Sequence, residues 1–344
     1  MKYIEKFFDT AIEKGASDLH LSAEERPAIR VFSNLEYLSD EQLDKKILTD
    51  EIMSLLSEDQ KKEFEQKKEL DFSLEFSGQR FRVNLHMQSR LVSLSARLVP
   101  TRIPSLDDLN FEPILHDFCN LINGLVLVVG ATGQGKTTTI AAMIEEINKK
   151  RKSHIITIED PIEFVFEDKE SLIEQREIGV DTDSFAIALK HVLRQDPNVI
   201  MVGEMRDPET IAMALTAAET GHLVFYTLHT STAAEAIERI VDVFEGAKQR
   251  QILIQLSAVL RGVVAQQLLP TVDDKLVSAR EILVNTPAVA NLIRENNISQ
   301  IPSVIQTSMK AVMQTMDNSI KDFLKNKIIS AEVAEKRLAK QIKI

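Results

Sequence analysis

The hydrophobic and polar positions of the first hundred residues predict a small α+β domain. Near the N-terminus, apolar residues recur at the spacing of one helix face, and Gly15 follows them where helices commonly end. Three later segments alternate between apolar and polar residues, which is typical of half-buried strands, and the break at 77–79 between the first two predicts a hairpin. The apolar positions are Ile4, Phe7, Phe8, Ala11 and Ile12 for the helix, and Phe72, Leu74, Phe76, Phe81, Val83, Leu85, Val92, Leu94, Ala96 and Leu98 for the strands.

Three arginines of these predicted strands share one face. Because successive side chains of a strand point to opposite sides, Arg80, Arg82 and Arg97 lie away from the apolar face. Exposed arginines serve solubility as readily as they serve a ligand. The pattern alone therefore leaves both interpretations open.

A proline-rich segment, Val99-Pro-Thr-Arg-Ile-Pro104, predicts a linker. Beyond it, helical stretches alternate with short apolar strands, which indicates a mostly parallel sheet with helices on both faces. From about Ala288 onward the strand pattern ends, and we expect a terminal helical bundle. The strands are predicted over 126–129, 155–158, 199–202 and 223–227. The predicted organisation is an α+β domain over 1–99, a linker over 100–109, an α/β core over 110–287 and a helical region over 288–344.

Composition narrows the class of protein. The chain has 344 residues, of which 44% are apolar and 27% charged, values typical of a soluble globular protein long enough for two domains. Its apolar run from Leu121 to Val129 is too short to span a bilayer, and the N-terminus predicts no signal segment. A single cysteine, Cys119, excludes an internal disulfide and a cysteine-rich zinc site. Together these features predict a cytoplasmic protein.

The net charge of −11 argues against a nucleic-acid motor, which usually displays a basic surface. The strongest basic cluster is Lys149-Lys150-Arg151-Lys152, which follows a predicted helix. Cations are favoured at a helix C-terminus, so we interpret this cluster as structural.

Residues 130–137 satisfy the phosphate-loop pattern G-x-x-x-x-G-K-[ST] at every fixed position, between an apolar strand and a predicted helix. The glycines let backbone N–H groups wrap phosphate oxygens at the helix N-terminus. Lys136 supplies positive charge to the β- and γ-phosphates, and the Thr137 hydroxyl can ligate Mg²⁺. The chain is therefore predicted to bind a nucleoside triphosphate. The predicted binding residues are Gly130, Ala131, Thr132, Gly133, Gln134, Gly135, Lys136, Thr137 and Thr138.

A carboxylate follows the predicted strand over 199–202. Glu204 would lie at the carboxyl end of a parallel strand, where ligands bind in such sheets. There it can orient an attacking water or hold Mg²⁺ through a water. A typical Walker B strand ends in Asp and then Glu, and Gly203 stands in place of the Asp. Asp207-Pro208-Glu209 predicts the cap and first turn of the next helix.

Acids and histidines accompany two other predicted strands. Glu159, Asp160 and Glu163 follow the strand over 155–158, where they form either a solvated turn or part of an active-site edge; the sheet order favours the edge. His222 and His229 flank another apolar run. Lone histidines are more often structural than catalytic, so the sequence leaves their role open.

Taken in order, these segments resemble the motifs of the secretion-superfamily ATPases, and specifically of the type IV pilus retraction ATPases. The resemblance extends over nearly the whole chain. The matching segments are 15–20 for the N-terminal signature, 130–137 for Walker A, 157–164 for the Asp box, 202–207 for Walker B, 220–230 for the His box, and 292–295 with 302–306 for the retraction-specific C-terminal motif.

The resemblance implies a PAS-like N-terminal domain, a RecA-like ATPase domain and assembly into a homohexamer. It implies ATP and Mg²⁺ as cofactors. The implied site residues are Glu204 as the catalytic acid, Thr137 and Glu204 at the metal, Glu163 assisting at the metal or the water, His222 and His229 sensing the γ-phosphate, and Arg82 and Arg97 reaching the nucleotide from the N-terminal domain.

The implied activity is ATP-driven type IV pilus retraction, which powers twitching motility. Implied partners are further copies of the chain, an inner-membrane platform protein and a second retraction ATPase. The implied location is the cytoplasmic face of the inner membrane, by peripheral association only.

Some residues depart from the family pattern. Ala131 and Gln134 replace the commoner Pro and Ser of the loop, at positions where we expect no side chain to be needed. Ala290 stands where the C-terminal motif commonly has arginine, which leaves a primary and an accessory retraction ATPase both open. The single cysteine and short N-terminal region favour retraction over a pilus-assembly or type II secretion ATPase. A nucleic-acid translocase and a scaffold without turnover are the remaining alternatives.

Overall fold

The computed structural model describes residues 3–31, 34–99, 102–203, 207–273, 275–308 and 313–338. Its contacts divide the chain into two units. The first comprises Met1–Arg102 together with Glu163–Val165, and the second comprises Ile103–Ile162 and Phe166–Ile344.

The first unit is a six-stranded antiparallel sheet with helices. Its strands are β1 (Asp18–Ser22), β2 (Ala28–Val31), β3 (Asn34–Tyr37), β4 (Glu69–Phe76), β5 (Gln79–Gln88) and β6 (Leu91–Leu98). Its helices are α1 (Glu5–Glu13), α2 (Lys45–Leu55) and α3 (Glu58–Lys67). The strand order is β3-β2-β1-β6-β5-β4.

The predicted helix and hairpin of this unit are confirmed. Helix α1 buries Phe7, Phe8 and Ala11, and it ends just before Gly15. Strand β4 pairs with β5 along its whole length around the predicted turn, and β6 pairs with β5. Strands β1, β2 and β3 were not predicted, because runs of four or five residues are too short to display a clear period of two.

The second unit is built on a seven-stranded sheet of order β13-β12-β7-β11-β10-β8-β9. Its strands are β7 (Gly124–Val129), β8 (His154–Glu159), β9 (Leu172–Glu177), β10 (Val199–Val202), β11 (Leu223–Leu228), β12 (Leu260–Pro270) and β13 (Leu276–Val284). Its helices up to β12 are α4 (Pro113–Cys119), α5 (Lys136–Lys150), α6 (Phe185–Val192), α7 (Pro208–Glu219), α8 (Ala233–Asp242) and α9 (Ala247–Val259). Neighbouring strands are parallel except β12 and β13.

Both faces of this sheet are covered by helices, as predicted. Leu127 of β7 belongs to an apolar cluster with residues of α6, α7, α8 and α9, whereas Val126 and Val128 belong to a second cluster with α4 and α5. Burial on both faces explains why the parallel strands are continuous apolar runs. The doubly covered, mostly parallel sheet is therefore confirmed.

Strands β9, β12 and β13 were not predicted. Helix α9 ends at Val259 and β12 begins at Leu260, with no glycine or proline between them. A helix and a buried strand joined in this way form one apolar stretch, which periodicity alone does not divide. The division comes from pairing with β7, a contact between residues far apart in the chain.

The C-terminal helices pack in two separate places, and so they do not form one bundle as predicted. Helices α10 (Pro287–Arg294) and α11 (Ile301–Thr307) contribute to the apolar cluster that contains α9. Helices α12 (Met316–Lys325) and α13 (Ala331–Leu338) pack instead on Leu269 of β12 and Val277 of β13. Within the described ranges, no helix is long and apolar enough to span a bilayer.

The structural interpretation of the basic cluster after α5 is confirmed. Lys149 and Lys150 each pair with a glutamate one turn earlier on the helix. Arg151 donates to the main-chain oxygens of Cys119 and Leu121, at 3.0 and 2.8 Å. Burial raises the pKa of the Cys119 thiol to about 12, so this cysteine is a neutral packing residue.

Candidate nucleotide-binding site

The phosphate loop departs from the carboxyl end of β7 and leads into α5. A Cβ on Gly130, whose φ is +155°, would lie 2.7 Å from the main-chain oxygen of Gln266, so only glycine permits this approach to β12. Gly135 forms the N-cap of α5 with a φ of +76° and makes no side-chain cap hydrogen bond. Because glycine has no side chain, the N-cap residue cannot accept a hydrogen bond from the first N–H groups of α5. These N–H groups are therefore suited to bind a phosphate.

Lys136, the first residue of α5, is buried against the phosphate loop. Its Nζ donates to the main-chain oxygens of Gly130 and Ala131 at 2.8 and 3.1 Å, and it lies 3.4 Å from Nδ1 of His229. These contacts hold the ammonium over the loop backbone, the position from which a phosphate-loop lysine reaches phosphate oxygens. Thr137 follows in the first turn of α5.

The two predicted histidines lie at opposite ends of β11. His229 follows the strand, and its Nδ1 lies 3.3 Å from Oγ1 of Thr132. His222 precedes the strand, with its Nδ1 2.9 Å from the main-chain oxygen of Ala217. Strand β11 runs parallel to β7 and spans six residues, which is about 20 Å of extended chain. Within its own chain, His222 is therefore not brought to the phosphate loop, and its sensing of the γ-phosphate stays a prediction.

The predicted acids after β8 have different environments. Glu159 is buried and accepts hydrogen bonds from Oγ1 of Thr157 at 2.7 Å and from Nε2 of Gln175 at 3.1 Å. Glu163 is exposed and belongs to the first unit by its contacts. Its assistance at the metal or the water stays a prediction.

The predicted catalytic acid, Glu204, lies outside the described residues. Just before it, the N–H of Gly203 donates to the main-chain oxygen of Ile158 at 2.8 Å. A Cβ on Gly203 would lie 3.3 Å from that same oxygen, so the β8–β10 pair has little room for the Asp of a typical Walker B strand. Asp207 caps α7 as predicted, and its carboxylate accepts from the N–H of Thr210 at 2.8 Å.

Arg82 and Arg97 face each other across β5 and β6 of the first unit, where they are register partners. Both are exposed on the polar face, as predicted. They line a polar pocket of about 220 Å³ whose other lining residues are Asp18, Asp71, Asn84 and Ser95. Their reach to a nucleotide stays a prediction.

Gln266 was not singled out by the sequence, although the structure places it against the phosphate loop. It is buried in β12, and its amide bonds to groups of Gln134 and Thr139. It lies 132 residues after Gln134 in the chain. The local signal of this residue was a pair of polar residues, Gln266 and Gln267, within a mostly apolar segment.

Comparisons with known proteins find relatives that match nearly the whole chain. A family model described as "Type II/IV secretion system protein" matches residues 1–341. The chain is 44% identical over 326 residues to a Pseudomonas aeruginosa protein named as the type IV pilus retraction ATPase PilT, and the match covers 94% of this chain and 95% of that one. It is 40% identical over 318 residues to the type IV pilus ATPase PilU of the same organism, with 92% of this chain and 83% of that one covered.

A solved structure shares the fold. The crystal structure of the pilus retraction motor PilT with bound ADP matches with a TM-score of 0.90 and 44% sequence identity. The match covers 98% of this chain and 96% of the other. Similarity of this extent includes both units and the phosphate loop.

Proposed function

This chain belongs to the type II/IV secretion system protein family, and we propose that it is a motor ATPase that hydrolyses ATP to drive type IV pilus retraction. It is an ATP hydrolase with a complete phosphate loop. One observation carries the proposal: Lys136 is held over that loop in a chain that matches a retraction motor with bound ADP over 98% of its length.

The residues of the phosphate loop fit ATP and Mg²⁺. The backbone N–H groups of 131–137 surround the β- and γ-phosphates, and Lys136 exchanges its main-chain acceptors for phosphate oxygens. The Thr137 hydroxyl, with Glu204 acting through a water, would hold Mg²⁺, which neutralises charge on the phosphates when bound. Thr138 continues the same helical turn.

The remaining site residues divide the work of hydrolysis. Glu204 orients the attacking water and receives its proton, with Glu163 assisting. His229 responds to the γ-phosphate, because its Nδ1 lies within 3.4 Å of both Thr132 Oγ1 and Lys136 Nζ. Arg82 and Arg97 place positive charge where negative charge develops on the transferred phosphoryl group.

Retraction also requires partners. The chain acts as a homohexamer at the cytoplasmic face of the inner membrane, by peripheral association, and passes force to an inner-membrane platform protein. A second retraction ATPase is a further partner, since a relative named PilU is nearly as similar to this chain as PilT is. That similarity, together with Ala290, makes an accessory retraction ATPase the second candidate function.

Purified protein tests the chemistry. We expect Lys136→Ala to lose ATP binding and turnover, and Glu204→Gln to bind ATP without hydrolysing it, because binding and chemistry use different residues. Lys152→Ala removes an exposed lysine beyond α5 and serves as the matched control with full activity. Full ATPase activity of Lys136→Ala and Glu204→Gln would refute the assignment.

A clean deletion tests the cellular function. A retraction motor predicts surface pili that accumulate without surface movement, restored by the intact gene and not by the Lys136→Ala form. Cells without pili would indicate an assembly motor instead. Retraction that fails only when a second retraction ATPase is also weakened would indicate the accessory role, and DNA-stimulated turnover with a steep salt dependence would indicate a translocase.

A further inference from the structure

Strand β12 extends beyond the end of its neighbour β7. The last paired residues are Ala265 and Val129, after which β7 turns into the phosphate loop while β12 continues to Pro270. One edge of the stretch from Gln266 to Leu268 pairs with β13, and its other edge therefore lies beside the phosphate loop. Main-chain donors on the edge that faces the loop have no strand to bond to, so their partners come from the loop.

Three hydrogen bonds that involve two glutamines join β12 to the phosphate loop and to α5. Nε2 of Gln266 donates to the main-chain oxygen of Gln134 at 2.6 Å, and Oε1 of Gln266 accepts from Oγ1 of Thr139 at 2.8 Å. In return, Oε1 of Gln134 accepts from the N–H of Leu268 at 2.7 Å. We call Gln134, Thr139, Gln266 and the main chain of Leu268 the glutamine brace.

The brace holds the chain on both sides of Lys136, in the loop before it and in α5 after it. Gln266 is 3% exposed, and both ends of its amide are engaged, one with the loop before Lys136 and the other with α5 after it. The main-chain oxygen of Gln266 also packs closely on Gly130, where it would lie 2.7 Å from a Cβ atom. A buried amide with both ends satisfied holds one geometry, because rotation would leave polar groups unpaired.

We propose that Gln134 and Gln266 are positioning residues for nucleotide binding, which hold the phosphate loop in its phosphate-binding geometry through the glutamine brace. The proposal rests on the nucleotide binding of the proposed function. It corrects the expectation that the loop needs no side chain at position 134, since that side chain supplies the partner of Leu268. Neither glutamine side chain is assigned contact with the phosphates.

The brace acts on affinity rather than on the chemical step. A loop that is already ordered loses little conformational entropy when a nucleotide binds. A preorganised loop therefore binds the nucleotide more tightly. Once a nucleotide fills the loop, its own contacts order the backbone, and turnover at saturation depends little on the brace. A purely structural role would lower thermal stability and leave affinity unchanged.

The test measures ADP affinity and ATP kinetics of variants of the full chain. Gln134→Met and Gln266→Met replace the amides by apolar groups of similar length, and Thr139→Val removes only the hydroxyl. We expect each to raise the Kd for ADP and the KM for ATP about 3- to 10-fold, with kcat within about twofold of the unsubstituted value. The double glutamine variant should lose less than the product of the single effects, because the bonds act as one unit.

Gln255→Met is the matched control. Gln255 donates to Glu219 at 3.0 Å between α9 and α7, so its loss removes a comparable hydrogen bond elsewhere in the same unit. Unchanged ADP affinity in the brace variants, or reduced kcat with unchanged KM, would overturn the brace alone. If Gln266→Met does not fold, Gln134→Met and Thr139→Val decide the matter by the same criteria. Failure of the unsubstituted protein to bind ADP would instead overturn the proposed function, and the brace with it.

Discussion

Arg97 donates from Nε to Oδ1 of Asp18 at 2.8 Å, across the register pair that joins β6 to β1. Burial opposes the ionisation of Asp18, but hydrogen bonds from Ser17 and Arg97 outweigh it and hold the pKa of Asp18 below its ordinary value. Asp18 is therefore ionised at neutral pH and orients the guanidinium of Arg97, one of the two arginines proposed to serve hydrolysis.

Asp18→Asn is expected to lower kcat for ATP about tenfold and to leave the Kd for ADP unchanged, because a misaligned arginine loses its contribution at the transition state. Steady-state kinetics and ADP titration check this. Asp40→Asn is the control, since Asp40 pairs with Arg26 on an exposed surface of the same unit. A kcat equal to that of the unsubstituted protein would show that Arg97 does not depend on Asp18.

The lowered pKa of Asp18 also predicts how the stability of the first unit depends on pH. Because its folded pKa is depressed, the pair stabilises the folded state above the ordinary pKa of about 3.9, and this contribution is lost as pH falls through the lower folded value. The difference in Tm between Asp18→Asn and the unsubstituted protein should thus stay constant from pH 8 to about pH 5 and shrink only below about pH 4. A difference that shrinks between pH 7 and pH 6 would contradict this.

The raised pKa of Glu281 predicts the opposite pH dependence of stability in the second unit. Burial raises its pKa; the N–H of Ala233, which donates at 2.8 Å, opposes this, and the nearby Glu235 and Asp317 add to it. The folded state therefore holds its proton more tightly than the unfolded chain does. Stability is lost as pH rises from the ordinary value of 4.5 through the raised folded pKa.

Glu281→Gln keeps an oxygen acceptor for Ala233 and removes the ionisation. We expect this variant to have a higher Tm than the unsubstituted protein at pH 7 and a similar Tm near pH 4, measured by thermal unfolding across that range. The exposed Glu335→Gln should follow the unsubstituted protein at every pH. A lower Tm of Glu281→Gln at pH 7 would show that the carboxylate is stabilising.

The pair of Arg280 and Glu112 predicts a large loss of stability. Arg280 is 1% exposed, and its guanidinium donates to Glu112 at 2.9 Å and to two main-chain oxygens, while it stacks on Phe111. Glu112→Ala leaves a buried cation without its counter-charge, so we expect a loss of about 3 kcal/mol in the free energy of unfolding. Urea unfolding followed by circular dichroism measures it.

An exposed ion pair provides the comparison. Glu332 pairs with Lys336 on α13 with both side chains largely exposed, and Glu332→Ala should leave the urea midpoint near that of the unsubstituted protein. Equal effects of the two substitutions would mean that burial does not govern the strength of the Arg280 pair.

The close packing at Gly203 predicts that a Walker B aspartate there crowds the main chain of β8. A side chain there meets the main chain at the end of β8, so Gly203→Ala should cost about 1 kcal/mol and Gly203→Asp more, with a lower Tm and no gain in ATPase rate. Thermal unfolding and turnover of both variants check this. A stable Gly203→Asp protein that hydrolyses ATP faster would show that the strand pair accommodates the side chain.

Local patterns of the sequence determined the nucleotide loop, the apolar parallel strands around it and the β4–β5 hairpin. Each is a short segment whose own residues impose its conformation: glycines in the loop, a period of two in the hairpin and continuous apolar runs in the buried strands. The exposure of Arg82 and Arg97 followed from the same period. The cap at Asp207 was likewise predictable, because its partner lies three residues away.

The tertiary structure alone decided which of these residues meet. Strand direction separates His222 from His229, pairing with β7 divides β12 from α9, and sheet register brings Arg97 to Asp18. Gln266 reaches the phosphate loop from 132 residues away. Such contacts depend on strand order and register, which arise from the burial of whole faces at once, and no local segment contains that information.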